Sequence, residues 1–112
     1  MFDEKWTSYY NEAIELNKSI VDFCLERSLK PVFICVPMTK YLSDLIPEEV
    51  RNYLVTDFVK TCNVHNVPFY DYTLDVQFQD ASLYFNSFFL NLKGRKLFTE
   101  RVLSDLNFNG AI

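Results

Sequence analysis

The residues suited to chemistry are few. Cys62 and the single histidine, His65, stand three positions apart, a spacing that sets a thiol and an imidazole on one helical face as half a metal site or as a nucleophile and its base. Two ligands do not close a zinc site, and no second Cys/His pair exists to complete one. The expectation is a buried cysteine and a helix-terminal histidine, with no metal and no cofactor. Asp71, Asp75 and Asp80 gather near the end of a strand, where α/β folds place ligands. Their spacing fits no calcium loop, so they are expected to be solvated loop acids. The third group is aromatic: Tyr70, Tyr72, Phe78, Tyr84, Phe85, Phe88 and Phe89. Most of it should fill core, whereas Phe88-Phe89-Leu90 reads as an apolar contact surface.

These residues must be positioned by a small set of elements. From Asp3 to about Leu29 the residues Trp6, Tyr10, Ala13, Leu16, Ile20, Phe23 and Cys24 recur at three- and four-residue steps, which predicts an amphipathic helix with this stripe toward the core. Asp3 and Glu4 suit its N-terminal end, Arg27 and Lys30 its C-terminal end. Asn17-Lys18-Ser19 has the form of a glycosylation sequon but falls inside that helix. Val32, Phe33, Ile34, Cys35 and Val36 form an unalternating apolar run between Pro31 and Pro37, predicting a strand covered on both faces. A connection follows, with one helical turn around Tyr41, Leu42 and Leu45. Pro47-Glu48-Glu49 predicts a helix start, continued on one face by Val50, Leu54, Phe58 and Cys62 and ended by Asn63 to Asn66. Residues 67–71 read as a shorter strand, with Pro68 at an edge. After an irregular aromatic stretch, Asn91 caps a last helix through about Leu106, with Gly94, Phe98, Val102 and Leu106 at four-residue steps. The fold class expected is α/β: a truncated flavodoxin-like three-layer unit in the order helix-strand-helix-strand-helix, with parallel strands and a right-handed crossover.

Bulk properties narrow the function classes. With 112 residues, 49% hydrophobic and 23% charged, the chain reads as one globular domain over 1–112. Its net charge is −4 and its eleven Lys and Arg are dispersed, so the electrostatic footprint of nucleic-acid binding is missing. Three cysteines, at 24, 35 and 62, cannot all pair within one chain and sit in apolar stretches, which favours a reducing, cytoplasmic setting. No apolar run approaches the roughly 18 residues of a membrane span, and no signal peptide is evident.

The run from Asp80 to Thr99, with Leu90, Asn91, Gly94, Phe98 and Thr99 as its sharpest part, resembles the closing block of SGNH-type (GDSL-like) hydrolases. There an Asp and a His three residues apart precede Leu-Asn, a Gly and a Phe-Thr-like helix. The preceding order of elements is also similar to the last two βα units of that family. The resemblance places the family's catalytic Asp at Asn86 and its catalytic His at Phe89. A phenyl ring accepts no proton, and an amide cannot supply the charge that orients and stabilises an imidazolium. The family's Gly-Asp-Ser block is missing from these residues. The resemblance therefore implies a non-catalytic half-domain or remnant acting through protein contacts; the alternative is one piece of a longer or split hydrolase or acyltransferase whose serine block lies on another chain. It also implies that Gly94 allows close packing of its helix against the sheet.

In the parent topology the strand at 32–36 lies between two neighbours, but here one strand alone is available to pair with it. An open apolar edge invites a partner. The expected contact surface is Val32, Phe33, Ile34, Cys35 and Val36 with Phe88 and Phe89, covered by a second copy of the chain or by another polypeptide, most simply as a homodimer with a continuous sheet. A small-ligand site in the loop from Asp71 to Phe89 is a third possibility.

Overall fold

The computed structural model describes residues 3–110. Helices dominate, joined by a two-stranded parallel sheet, so the chain is of mixed α/β type. Helix α1 spans Glu4–Glu26, strand β1 Phe33–Cys35, helix α2 Lys40–Leu45, helix α3 Glu48–Arg51, helix α4 Asp57–Cys62, strand β2 Phe69–Asp71 and helix α5 Leu92–Phe108. A π-helical stretch, Asn52–Thr56, links α3 to α4. The described residues form two compact units, one of residues 3–33 and 48–69, the other of 34–47 and 70–110.

In the first unit α1 starts where its cap dictates: the Asp3 carboxylate accepts the Trp6 N–H at 2.8 Å, satisfying one of the donors a helix N-terminus leaves unpaired. The helix ends at Glu26, short of the expected Leu29, as Ser28 turns to a φ of 60°. Its inward face is also rotated from the expected one. Ile14 and Val21 are buried and Tyr10, Ala13 and Cys24 half-buried, while Leu16, Ile20 and Phe23 face outward. Tyr10 is the main link to the second helical segment. Its ring stacks on Tyr53 at 4.3 Å and meets Phe58 edge-on at 5.3 Å, and its hydroxyl donates to the Tyr53 carbonyl at 2.7 Å. Because the π stretch bonds i to i+5, it adds roughly one residue to a turn, and the expected four-step face drifts. Val59 and Cys62 are buried, while Leu54 is exposed.

In the second unit the core is aromatic. Phe78 is fully buried, with Phe98 perpendicular to it at 5.4 Å and Tyr72 edge-on to Phe98 at 5.2 Å. Leu83, Tyr84, Leu97 and Val102 close around them. The Tyr84 hydroxyl donates to the Phe78 carbonyl at 2.6 Å. Tyr72 donates to Asp105 at 2.8 Å, and Arg101 ties Asp105 to Asp75 with contacts of 3.0 Å each. Asn91 caps α5 by accepting the Gly94 N–H at 2.9 Å, and the inward positions Gly94, Phe98, Val102 and Leu106 fall at the expected four-residue steps. Gly94 packs not on the sheet but on the turn Ala81–Leu83: a Cβ there would collide with the Leu83 carbonyl oxygen and stand 2.9 Å from Leu90 Cδ2.

The sheet is smaller than expected. β1 has three residues instead of five, and its register is set by Phe33 donating to the Pro68 carbonyl at 2.8 Å and by Tyr72 donating to the Cys35 carbonyl at 3.0 Å. The expected burial on both faces is not met: Ile34 is 37% exposed and Val36 60%. An unalternating apolar run announces what it would bury, and this unit supplies cover for only part of it. Among the described residues no helix is long and apolar enough to cross a membrane.

Candidate contact site

The paired groups that suggested chemistry are kept apart or spent on structure. Cys62 is fully buried, and burial pushes its thiol above the usual range. His65 is exposed and its Nε2 lies 2.8 Å from an Asp22 carboxylate oxygen. Asp71 accepts both the N–H and the hydroxyl of Thr73, at 2.9 and 2.6 Å. Asp75 and Asp80 accept the N–H groups of Gln77 and Ser82 at 3.0 and 2.9 Å, each capping a short 3-10 turn, and the Ser82 N–H holds the Asp80 carboxyl below its ordinary range. Among the described residues no group of three His, Cys, Asp or Glu side chains is placed to hold a metal ion. Burial, with the Asp71 charge added, pushes the Cys35 thiol up to about 11, which leaves little thiolate near neutral pH.

The aromatic group divides in two. Tyr70, Tyr72, Phe78 and Tyr84 belong to the core, whereas Phe85, Phe88 and Phe89 are 83, 62 and 67% exposed. A local device holds them outward. Asn86 Oδ1 accepts the N–H groups of both Phe88 and Phe89 at 2.9 Å, and Phe85 donates to the Phe89 carbonyl at 2.7 Å. The next residues are anchored by the antiparallel bridge between Tyr84 and Leu90 and by the Asn91 N–H, which donates to the Leu83 carbonyl at 2.9 Å. The amide of Asn86 thus shapes this loop.

These three rings border an open groove of about 1080 Å³ within the second unit. Val36, Pro37 and Met38 line it just past β1, Leu42 and Ile46 from α2 and its C-cap, Leu90 from the bridge before α5 and Leu92 from the first residue of α5. Thr39, buried at the α2 cap, accepts the Leu42 N–H at 3.2 Å and so orients that side. The polar lining consists of Asn91, committed to its helix cap, and Arg95. No lining side chain can accept a proton from a hydroxyl or water at neutral pH.

Of the expected contact residues, Val36, Phe88 and Phe89 meet at this groove, Ile34 lies exposed just before it, and Val32, Phe33 and Cys35 are half-buried. Phe85, one of the aromatic group singled out in the sequence, joins them, whereas sequence reasoning missed Met38, Leu42, Ile46, Leu92 and Arg95. One signal was on hand for part of this: Leu42 and Ile46 are one helical turn apart, and Leu92 is an apolar residue opening a helix whose inward stripe begins at Gly94. Family models, curated proteins and solved structures give no match to this chain.

Proposed function

We propose that the chain is a non-catalytic contact domain, similar over nearly its whole length to the C-terminal half of an SGNH-type hydrolase and of truncated flavodoxin-like three-layer organisation, working in a reducing, cytoplasmic compartment. Its groove takes an apolar, extended segment of another polypeptide, and the chain associates with itself. The observation that carries this reading is the presentation of Phe85, Phe88 and Phe89 on an open apolar groove, in the place where the hydrolase resemblance would put the acid and base.

Two physical points support an extended polypeptide as the occupant. Pairing with β2 uses the Phe33 N–H and the Cys35 C=O, so in a parallel ladder the N–H and C=O of Ile34 face the other edge of the two-stranded sheet. A strand added there would run on past Val36 into the groove, gaining main-chain bonds from the edge and side-chain burial from the rings. The edge is only three residues long, so the groove, not a continuous sheet, carries most of the contact.

The test is a selection of displayed random peptides on the purified chain, followed by binding to wild type and to a Phe88→Asp/Phe89→Asp variant. The reading expects apolar extended peptides that the variant no longer holds. Peptides held equally by both would overturn it. Covalent labelling of wild type by a serine-reactive fluorophosphonate would overturn the non-catalytic half and favour a hydrolase fragment.

A further inference from the structure

Helix α1 carries two apolar stripes. Tyr10, Ile14, Asn17, Val21 and Cys24 step by four, three, four and three, and turn into their own unit. Trp6, Tyr9, Ala13, Leu16, Ile20 and Phe23 step by three, four, three, four and three, the spacing of a coiled-coil seam. Four of its members are left outward: Tyr9, Leu16, Ile20 and Phe23 are 56, 60, 51 and 52% exposed, with Ala13 half-buried where the two stripes adjoin. It runs along most of a 23-residue helix, about 34 Å at the α-helical rise.

We infer that this stripe is the self-association surface and that it packs against α1 of a second copy in antiparallel orientation. The inference rests on the self-association part of the reading above and names its surface. Placed antiparallel about a two-fold axis, Trp6 layers on Phe23 of the partner copy, Tyr9 on Ile20 and the small Ala13 on Leu16, which fills the space a methyl group leaves. The flank of the seam turned away from the unit holds Lys5, Glu12, Ser19 and Glu26. In this orientation like flanks meet, so Lys5 faces Glu26 of the partner copy, twice by symmetry, and Glu12 faces Ser19. A parallel arrangement sets Lys5, Glu12 and Ser19 opposite Tyr10, Asn17 and Cys24, with no charge paired, and stacks Ala13 on Ala13.

The charges nearby leave this pairing open. Glu26 is held by a 3.9 Å contact with its neighbour Arg27, and Lys5 lies 6.0 Å from the Tyr9 ring. Of the other acids beside the seam, Glu15 is matched with Lys18 at 3.4 Å and Asp22 with His65 at 2.8 Å, and Glu12 is the one set opposite Ser19. Charge complementarity therefore selects both the occupant and its direction.

Sedimentation equilibrium of the full chain tests this. Wild type is expected to dimerise, and Leu16→Asp to sediment as a monomer with unchanged circular dichroism and thermal midpoint, since the residue is exposed. Lys5→Glu and Glu26→Lys are each expected to weaken the dimer roughly tenfold, from two lost pairs and two repulsions. The Lys5→Glu/Glu26→Lys double variant is expected to recover wild-type affinity. A wild type that stays monomeric, a dimer that survives Leu16→Asp, or a double variant as weak as the singles would each overturn the inference. Phe88→Asp/Phe89→Asp is expected to dimerise normally, so failure of the groove and failure of the seam are read separately.

Discussion

Asn86 holds Phe89 in place: its side-chain oxygen accepts the Phe89 N–H at 2.9 Å, and the Phe88 N–H at the same distance. An acceptor oxygen is what this turn requires, and an amide or a carboxylate supplies it equally. Asn86→Ala is expected to cost about 1 kcal/mol and to weaken peptide binding by loosening both rings. Asn86→Asp should keep both properties. Urea denaturation and peptide titration of the two variants check this, and an Asn86→Ala protein that binds as tightly as wild type would show that the loop is not organised by this residue.

The aromatic core of the second unit should be the most sensitive part of the chain. Phe78→Ala removes a fully buried ring from between Tyr72 and Phe98 and is expected to cost about 3–5 kcal/mol. Tyr84→Phe leaves the Phe78 carbonyl, now paired at 2.6 Å, without its buried donor, at about 1–3 kcal/mol. The ranking is measured by chemical denaturation.

Gly94→Ala sets a gain in helix propensity of about 1 kcal/mol against a collision with the Leu83 carbonyl oxygen. That carbonyl also accepts the Asn91 N–H at 2.9 Å, so it cannot move without breaking the junction that starts α5. Overpacking of this kind costs about 1–3 kcal/mol. A net loss of stability is expected, and a gain in the thermal midpoint would refute the packing argument.

Alkali should unfold the second unit in a defined window. Burial raises Cys35 from 9.0 to about 11 and Tyr84 from 10.0 to about 12, and burial and the bond to Asp105 move Tyr72 in the same direction. Each group holds its proton more tightly folded than unfolded. Their contribution to stability is therefore whole below about pH 9 and is lost as pH rises through about 11 and 12. The urea midpoint is expected to fall across that range, with Cys35→Ala flattening its lower part. A midpoint independent of pH there would contradict these burial assignments.

Parts of this structure can be read from the chain directly and parts cannot. α5 was legible because its cap, Asn91, and its inward residues Gly94, Phe98, Val102 and Leu106 are local and strictly spaced. The inward face of α1 was misjudged because apolar residues occupy two stripes: spacing shows that both exist but not which one the unit covers. The helix beginning at Pro47 was placed correctly, but its face was not, since a π stretch breaks the step on which a face is read. The groove was half legible. Phe88 and Phe89 stood out as adjacent large apolar residues in an irregular, aromatic-rich stretch. Leu42 and Ile46 meet them only through tertiary packing of segments more than forty residues apart, which no local period encodes.

Calorimetric titration of the chain with a peptide selected on its groove tests the central claim most directly, because burial of apolar surface carries a negative heat-capacity change of binding. The account predicts that negative change for wild type and no measurable binding to Phe89→Asp, at a thermal midpoint within error of wild type. Equal affinity and equal heat-capacity change for the two proteins would contradict it.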